Sequence, residues 1–257
     1  VLFSDIRGFT TLSERLGAKE TVSMLNEYFT DMVDVVFAHN GILDKYIGDM
    51  IMAVFGSVLA TEEDADNAVT VGSRMMVALR ELNARRSPAG HEAIRIGVGI
   101  STGHVVAGSI GSPKRLEYTV IGDRVNLAER LENANKYYGT SVLICQTTAG
   151  RLKRPVKMRD LDLIRVRGMN TPVSIYEVLD HHTEETFPNL DVVVPAFAQG
   201  IAHYRKQSWS RAAVCFSEAL TAWPGDRPSR LYLERCEVYR VEPPRPPWDG
   251  VWTVQAN

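Results

Sequence analysis

The sequence predicts an α+β sandwich with strands joined in hairpins, and it argues against a doubly wound parallel sheet. Three observations carry this. Short apolar runs bounded by turn residues, such as "VLFSD" and "MIMAVFG", are interspersed with long stretches of helical period. Residues 42–46 and 50–55 are two apolar runs joined at "IGD", where Gly48 supplies the permissive backbone of a hairpin turn. "IRIGVGIST" and "HVVAGSIG" read as a second strand pair around Gly103. Hairpins mixed with helices favour segregated layers over βαβ crossovers.

The elements follow in order. Residues 1–5 form a short strand. Residues 10–39 carry a helical period through Leu12, Leu16, Val22, Leu25, Tyr28, Phe29, Met32 and Val36, and Gly41 ends the helix. After the hairpin, Thr61 before "EEDAD" supplies an N-cap and an acidic first turn, which the helix dipole favours. That helix runs to about Arg86, ahead of "SPAG". The second strand pair follows, then a short strand "EYTVIG". "DRVNLAERLENANKYYG" is a helix with Leu127, Leu131 and Ala134 on one face and Gly139 at its end. "SVLIC", a short helix at 147–152, "MRDLDLIRV" and "VSIYEV" complete this portion, residues 1–180.

Composition changes after Leu179. "DHHTEETFPN" is polar, and 181–195 reads as a linker. Residues 196–240 are helical again. The spacing of Gly200, Trp209, Ala212, Phe216, Ala219, Leu220 and Pro224 resembles one tetratricopeptide helix pair. A single such unit cannot bury its own face, so it is expected to lean on the first domain or on a third helix, "SRLYLERCEVYR". The tail, 241–257, is Pro-rich and reads as irregular.

The bulk properties narrow the function. The chain has 257 residues, 45% hydrophobic and 23% charged, with a net charge of −2, so nothing marks it for nucleic acid. No run approaches the roughly 18 apolar residues of a membrane span. The chain begins inside a strand with neither an initiator Met nor a signal peptide, which reads as a fragment of a longer protein, cytoplasmic in this portion. Cys145, Cys215 and Cys236 are scattered and odd in number, which fits reduced thiols. His181 and His182 fall in the linker, Asp160 and Asp162 alternate along a strand as its solvent face, and Met50 and Met52 read as core.

The chemistry centres on two aspartates. Asp5 ends the first strand and Asp49 sits at the tip of the hairpin, each against apolar flanks. In a compact sheet the strand and the hairpin can lie side by side, and two converging carboxylates repel unless something positive lies between them. Hard divalent cations choose such oxygen sites, and the carbonyl of Ile6 could add a third oxygen. Taken singly, each Asp reads equally well as a turn or capping residue.

"FSDIRGFT", "DKYIGDMIMAVFG", "IRIGVGISTGHVVAGSIG" and "EYTVIGDRVNLAERLE" resemble the signature blocks of class III nucleotide cyclases, in the family's order and over residues 1–180. The resemblance implies a ferredoxin-like βαββαβ core with added strands, paired head to tail in a homodimer with catalytic sites at the interface. It implies that Asp5 and Asp49, with Ile6, hold two divalent ions, Mg²⁺ or Mn²⁺, with Ca²⁺ a candidate at one position. Asn126 and Arg130 match the pair that acts on the transition state, four apart in the helix so that both point the same way. Lys45 and Thr119 match the base-reading positions. Lys45 can donate to adenine N1 but offers guanine no acceptor, and Thr119 can accept from the N6 amino group, although its hydroxyl can also donate. Arg95 and Arg167 fall near positions that bind the β- and γ-phosphates. The family often has Lys-Gly-Lys where this chain reads Arg167-Gly168-Met169.

The reading is an adenylyl cyclase, ATP to 3′,5′-cyclic AMP and pyrophosphate, similar to the soluble, bicarbonate-responsive subgroup. A guanylyl or mixed-specificity cyclase is the alternative. A non-catalytic cyclase-like dimerisation module is a third reading, and it would ordinarily lack one of the metal aspartates or the Asn/Arg pair. The helical tail is expected to contact another protein or the catalytic domain.

Overall fold

The structure, a computed structural model, describes residues 1–165 and 171–253. In chain order the elements are β1 (Leu2–Ile6), α1 (Phe9–Phe37), β2 (Ile42–Ile47), β3 (Met50–Val54), α2 (Asp64–Arg86), β4 (Ile96–Ile100), β5 (Val106–Ser112), β6 (Arg115–Ile121), α3 (Asp123–Tyr138), β7 (Val142–Cys145), α4 (Gln146–Ala149), β8 (Met158–Arg165), β9 (Val173–Val178), α5 (Leu190–Arg205), α6 (Trp209–Ala222), α7 (Arg227–Val241) and β10 (Trp252–Thr253). Among the described residues, eight strands form one sheet in the order β10-β8-β9-β7-β4-β1-β3-β2, and β5 and β6 form a separate ribbon. Pairing is antiparallel except between β4 and β7 and between β8 and β10. This is the mixed α+β fold expected from the sequence.

The two-residue period of the strands decides which side chains meet which helices. Leu2 and Ile6 of β1, Ile51 and Ala53 of β3, and Ile96, Val98 and Ile100 of β4 face one way. There they join Met24, Tyr28, Met32 and Val36 of α1 and Val71, Met75 and Leu79 of α2 in one core. The intervening positions face α3. Phe3, Met52 and Val54 pack with Ala128 and Val120. On β4 those positions are Gly97 and Gly99. A Cβ on Gly99 would stand 2.2 Å from the Ala128 carbonyl oxygen, so α3 can ride directly on the strand only because this residue has no side chain. By the same alternation Asp5 shares the α3 side with Phe3.

Helices α5–α7 cover the remaining half of that face. Phe197, Ile201 and Tyr204 of α5, Phe216 of α6 and Tyr232 of α7 share a core with Leu143, Leu161, Ile164 and Ile175 of the sheet and with Leu131 and Tyr138 of α3. Buried ion pairs cross this boundary. The Arg159 guanidinium, 2% exposed, meets Glu177 at 2.6 Å and Asp226 at 2.8 Å. Arg235 meets Asp162 at 2.8 Å, and the Tyr138 hydroxyl donates to the same carboxylate at 2.6 Å.

Several local expectations are corrected. β4 does not pair with β5. It lies between β1 and β7, while β5 pairs with β6, so Gly103 joins the sheet to the ribbon and is not a hairpin tip. Helix α2 begins at Asp64, later than Thr61 would cap it. Thr61 instead donates to the Asp64 carboxylate at 2.9 Å, a local turn that competes with helix initiation. Asp162 does not face solvent: it is 1% exposed and pairs with Arg235 of α7, while Asp160, across a register shift in β8, stays partly exposed and pairs with Arg205. The segment around His181 is not an open linker. His181 is buried, its backbone carbonyl accepts from Arg80 at 2.8 Å, and α5 starts at Leu190, before residue 195. The Pro-rich tail is not wholly irregular, since β10 adds a parallel edge to β8.

Candidate active site

The β2–β3 hairpin and the end of β1 build the acidic part of the site. β3 pairs antiparallel with β1, which carries the hairpin tip alongside the C-terminal end of β1. Gly48, at φ 64°, takes the left-handed conformation that the tight turn requires. Asp5 and Asp49 are brought close enough for each carboxyl to perturb the titration of the other. Burial first, and then the charge of Asp49, push Asp5 up from 3.8 to about 7. Burial also raises Asp49. Oδ2 of Asp49 is buried without a hydrogen-bond partner. An anionic pair with an orphaned oxygen is a donor set that fits a hard divalent cation. Among the described residues no group of three or more His, Cys, Asp and Glu is arranged to ligate a metal.

Glu132 is a further acid that the sequence reading passed over. It is 6% exposed on α3, and burial, followed by the Asp5 charge, pushes it up to about 8. A Cβ on Gly97, which pairs with Asp5, would meet its Oε1 at 2.4 Å. The sequence carries little signal for it: at 100° per residue Glu132 lies at least 100° around the helix from Leu127, Leu131 and Ala134, and it is buried because α3 rides directly on Gly97 and Gly99 of β4. Arg7, also unremarked, ties β1 to the far end of α3 by donating from Nη1 to the Asn135 carbonyl at 3.5 Å and from Nη2 to the Thr140 carbonyl.

Arg95, just before β4, is exposed, and it lines a cavity of about 760 Å³ together with Asp5, Ile6, Arg7, Lys136 and Arg227. A cation-rich opening against a carboxylate suits a phosphate chain with its metal. Arg167 lies outside the described residues.

The base-reading candidates form a second cluster. Lys45 on β2 and Thr119 on β6 both contact Asp44. Thr119 Oγ1 donates to Asp44 Oδ2 at 2.8 Å, and Lys45 Nζ lies 3.7 Å from the same oxygen and 3.2 Å from Glu117. Lys45 and Thr119 thus stand side by side within one chain, both against Asp44.

Asn126 and Arg130 are on α3, Asn126 exposed and Arg130 half-buried. Arg130 lies about 200° around the helix from Glu132. Among the described residues neither side chain makes a hydrogen bond to the Asp5–Asp49 pair or to the Lys45–Thr119 cluster. The chain therefore presents its acids on one side of α3 and this pair on another.

Comparison with known proteins places the chain in a family. The profile of the adenylate and guanylate cyclase catalytic domain matches residues 1–180, and the chain belongs to this family. The adenylate cyclase, terminal-differentiation specific, of Dictyostelium discoideum is 32% identical over 239 residues, 92% of this chain. The chain spans only 11% of that relative's length. Among solved structures, the guanylyl cyclase Cya2 is 40% identical with a TM-score of 0.64, covering 69% of this chain and 89% of that one. The adenylyl cyclase CyaB from P. aeruginosa is 37% identical with a TM-score of 0.65, covering 70% and 93%. Among the described residues no helix is long and apolar enough to cross a membrane.

Proposed function

We propose that this chain is an adenylyl cyclase that converts ATP to 3′,5′-cyclic AMP and pyrophosphate. The observation that carries the reading is the Asp5–Asp49 pair with the orphaned Asp49 oxygen, in a member of the cyclase family. Asp5, Asp49 and the Ile6 carbonyl would hold two divalent ions, Mg²⁺ or Mn²⁺, with Ca²⁺ a candidate at one position. When bound, such ions supply Lewis acidity to the ribose 3′-hydroxyl and offset charge on the triphosphate. The 3′-hydroxyl gives up its proton to solvent as its oxygen bonds to the α-phosphorus in line, the bond to the β-phosphate oxygen breaks, and pyrophosphate leaves. Arg95 would hold the β- and γ-phosphates, with Arg167 as a second candidate. Asn126 orients the ribose, and Arg130 donates to the α-phosphate oxygens as charge redistributes on them.

The face of α3 bearing Asn126 and Arg130 turns away from the chain's own acids, which supports a head-to-tail homodimer. In it one copy supplies the carboxylates and the other the Asn/Arg pair and the base readers. Exposed apolar side chains on β2 and the ribbon, Tyr46, Ile47, Leu116, Tyr118 and Ile121, offer a surface for that pairing. Helices α5 and α6 read as one tetratricopeptide-like unit. The Lys45–Thr119 combination resembles the bicarbonate-responsive type, so stimulation by bicarbonate is part of the assay. Because a guanylyl cyclase shares 40% identity, GTP is the second substrate to test.

The test is cyclic nucleotide formation by the purified chain with Mn²⁺ or Mg²⁺ and either ATP or GTP. Cyclic AMP as the main product, lost in Asp5→Ala and in Asp49→Ala, is the expected result. Turnover of GTP faster than ATP overturns the substrate assignment, and activity surviving in Asp49→Ala overturns the metal site.

A further inference from the structure

Thr119 leaves one ambiguity in base recognition, because a hydroxyl both donates and accepts. Asp44 bears on it through a fault in the sheet register. Along the hairpin, Leu43 pairs with Ala53 and Lys45 pairs with Met52, so Asp44 is the extra residue of a β-bulge. In a regular strand Asp44 and Lys45 would point to opposite faces. The bulge aims both at β6, and the Asp44 side chain is 6% exposed there. Its Oδ2 accepts a hydrogen bond from the Thr119 hydroxyl at 2.8 Å.

We propose that Asp44 is a specificity-determining positioning residue, which fixes Thr119 as a hydrogen-bond acceptor towards the base and so selects a purine carrying an exocyclic amino group at C6. This rests on the assignment of Lys45 and Thr119 as base readers. A carboxylate only accepts, so the Thr119 proton is committed to Asp44 and the hydroxyl shows the ligand its lone pairs. Adenine offers an N6 donor to those lone pairs. Guanine offers O6, an acceptor, and two acceptors facing each other leave a buried group unsatisfied. Lys45 Nζ donates to Glu117 at 3.2 Å and lies 3.7 Å from Asp44 Oδ2, which leaves two of its three N–H groups, one of them for N1 of adenine.

The experiment measures kcat/KM for ATP and for GTP and takes their ratio. Asp44→Ala frees the Thr119 proton to donate to O6, and the ratio is expected to fall about tenfold, the scale of one mispaired polar group. Asp44→Asn keeps a carbonyl oxygen in place and should retain most of the discrimination. In a Thr119→Val background Asp44→Ala should change the ratio no further. A ratio within about twofold of wild type in Asp44→Ala, or an equal fall in the Thr119→Val background, overturns the proposal. If wild type forms no cyclic nucleotide, the activity reading fails on its own terms, and the ratio is then read from equilibrium binding of the 3′-deoxy analogues of ATP and GTP. If Asp44→Ala does not fold, a wild-type crystal structure with 3′-deoxy-ATP decides. Thr119 Oγ within hydrogen-bond distance of both Asp44 and N6 supports the proposal, and a Thr119 hydroxyl rotated away from Asp44 overturns it.

Discussion

Asp5→Asn should stabilise the metal-free protein above neutral pH and destabilise it, relative to wild type, once Mn²⁺ is present. The folded state holds Asp5 at about 7 against 3.8 ordinarily, a shift caused by burial and by the Asp49 charge. Between those values the folded chain keeps a proton that the unfolded chain releases, so stability falls as pH rises through the window and stays low above it. A shift of about three units corresponds to about 4 kcal/mol if unscreened. Asp5 is only partly shielded from solvent, and allowing for that screening leaves about 1–2 kcal/mol. For a chain of this size that is roughly 3–6 °C in Tm. The amide carries no charge to repel Asp49, so at pH 8 in EDTA the variant should melt higher by that margin, and the gap should close towards pH 4. Ion binding at about 100-fold its Kd adds about 2.7 kcal/mol to wild type and less to the variant, which reverses the order. Thermal melts followed by circular dichroism, with EDTA and with MnCl₂, read both effects. A metal-free variant that melts below wild type at pH 8, or a wild type indifferent to Mn²⁺, would refute the reasoning.

Three further outcomes are expected. Asp226→Ala leaves the Arg159 guanidinium buried with one partner fewer and removes the hydrogen bond that caps α7, so urea unfolding should show a loss of about 3–5 kcal/mol. Asn126→Ala and Arg130→Ala should each lower kcat for ATP by roughly 10²–10³ with little change in KM, as steady-state kinetics would show, because their contribution is made in the transition state. Lys45→Glu combined with Thr119→Cys should turn preference from ATP to GTP, since a carboxylate accepts from guanine N1–H where an ammonium cannot; cyclic GTP formation by the double variant measures it.

Much of the fold was legible because period and turn chemistry are local. The apolar stripe from Leu12 to Val36, the "IGD" turn and the unbroken apolar run of β3 each declare their element without reference to the rest. Strand partners are not local. Nothing in "IRIGVGIST" says that β4 pairs with β1 and β7 while the following strand leaves the sheet, since either arrangement satisfies the same alternation. The solvent face assigned to Asp162 failed for the same reason: α7, which brings Arg235 against it, comes more than sixty residues later. Asp5 and Asp49 stood out as charges against apolar flanks. Glu132 did not, because its burial depends on how closely α3 approaches Gly97 and Gly99 of β4. Nor did Asp44, because a bulge is set by the pairing of two strands and leaves no mark in the sequence of one.

The central claim is that a complete site needs two copies of the chain, one bringing the carboxylates and the other Asn126 and Arg130. Mixing Asp49→Ala with Asn126→Ala tests it most directly, with subunit exchange confirmed by differently tagged copies. Each variant alone should be nearly inactive. Each mixed dimer regains one intact site of two, so equal parts pairing at random should recover about a quarter of wild-type activity. Exchange without any recovery of cyclic AMP formation would contradict the shared site.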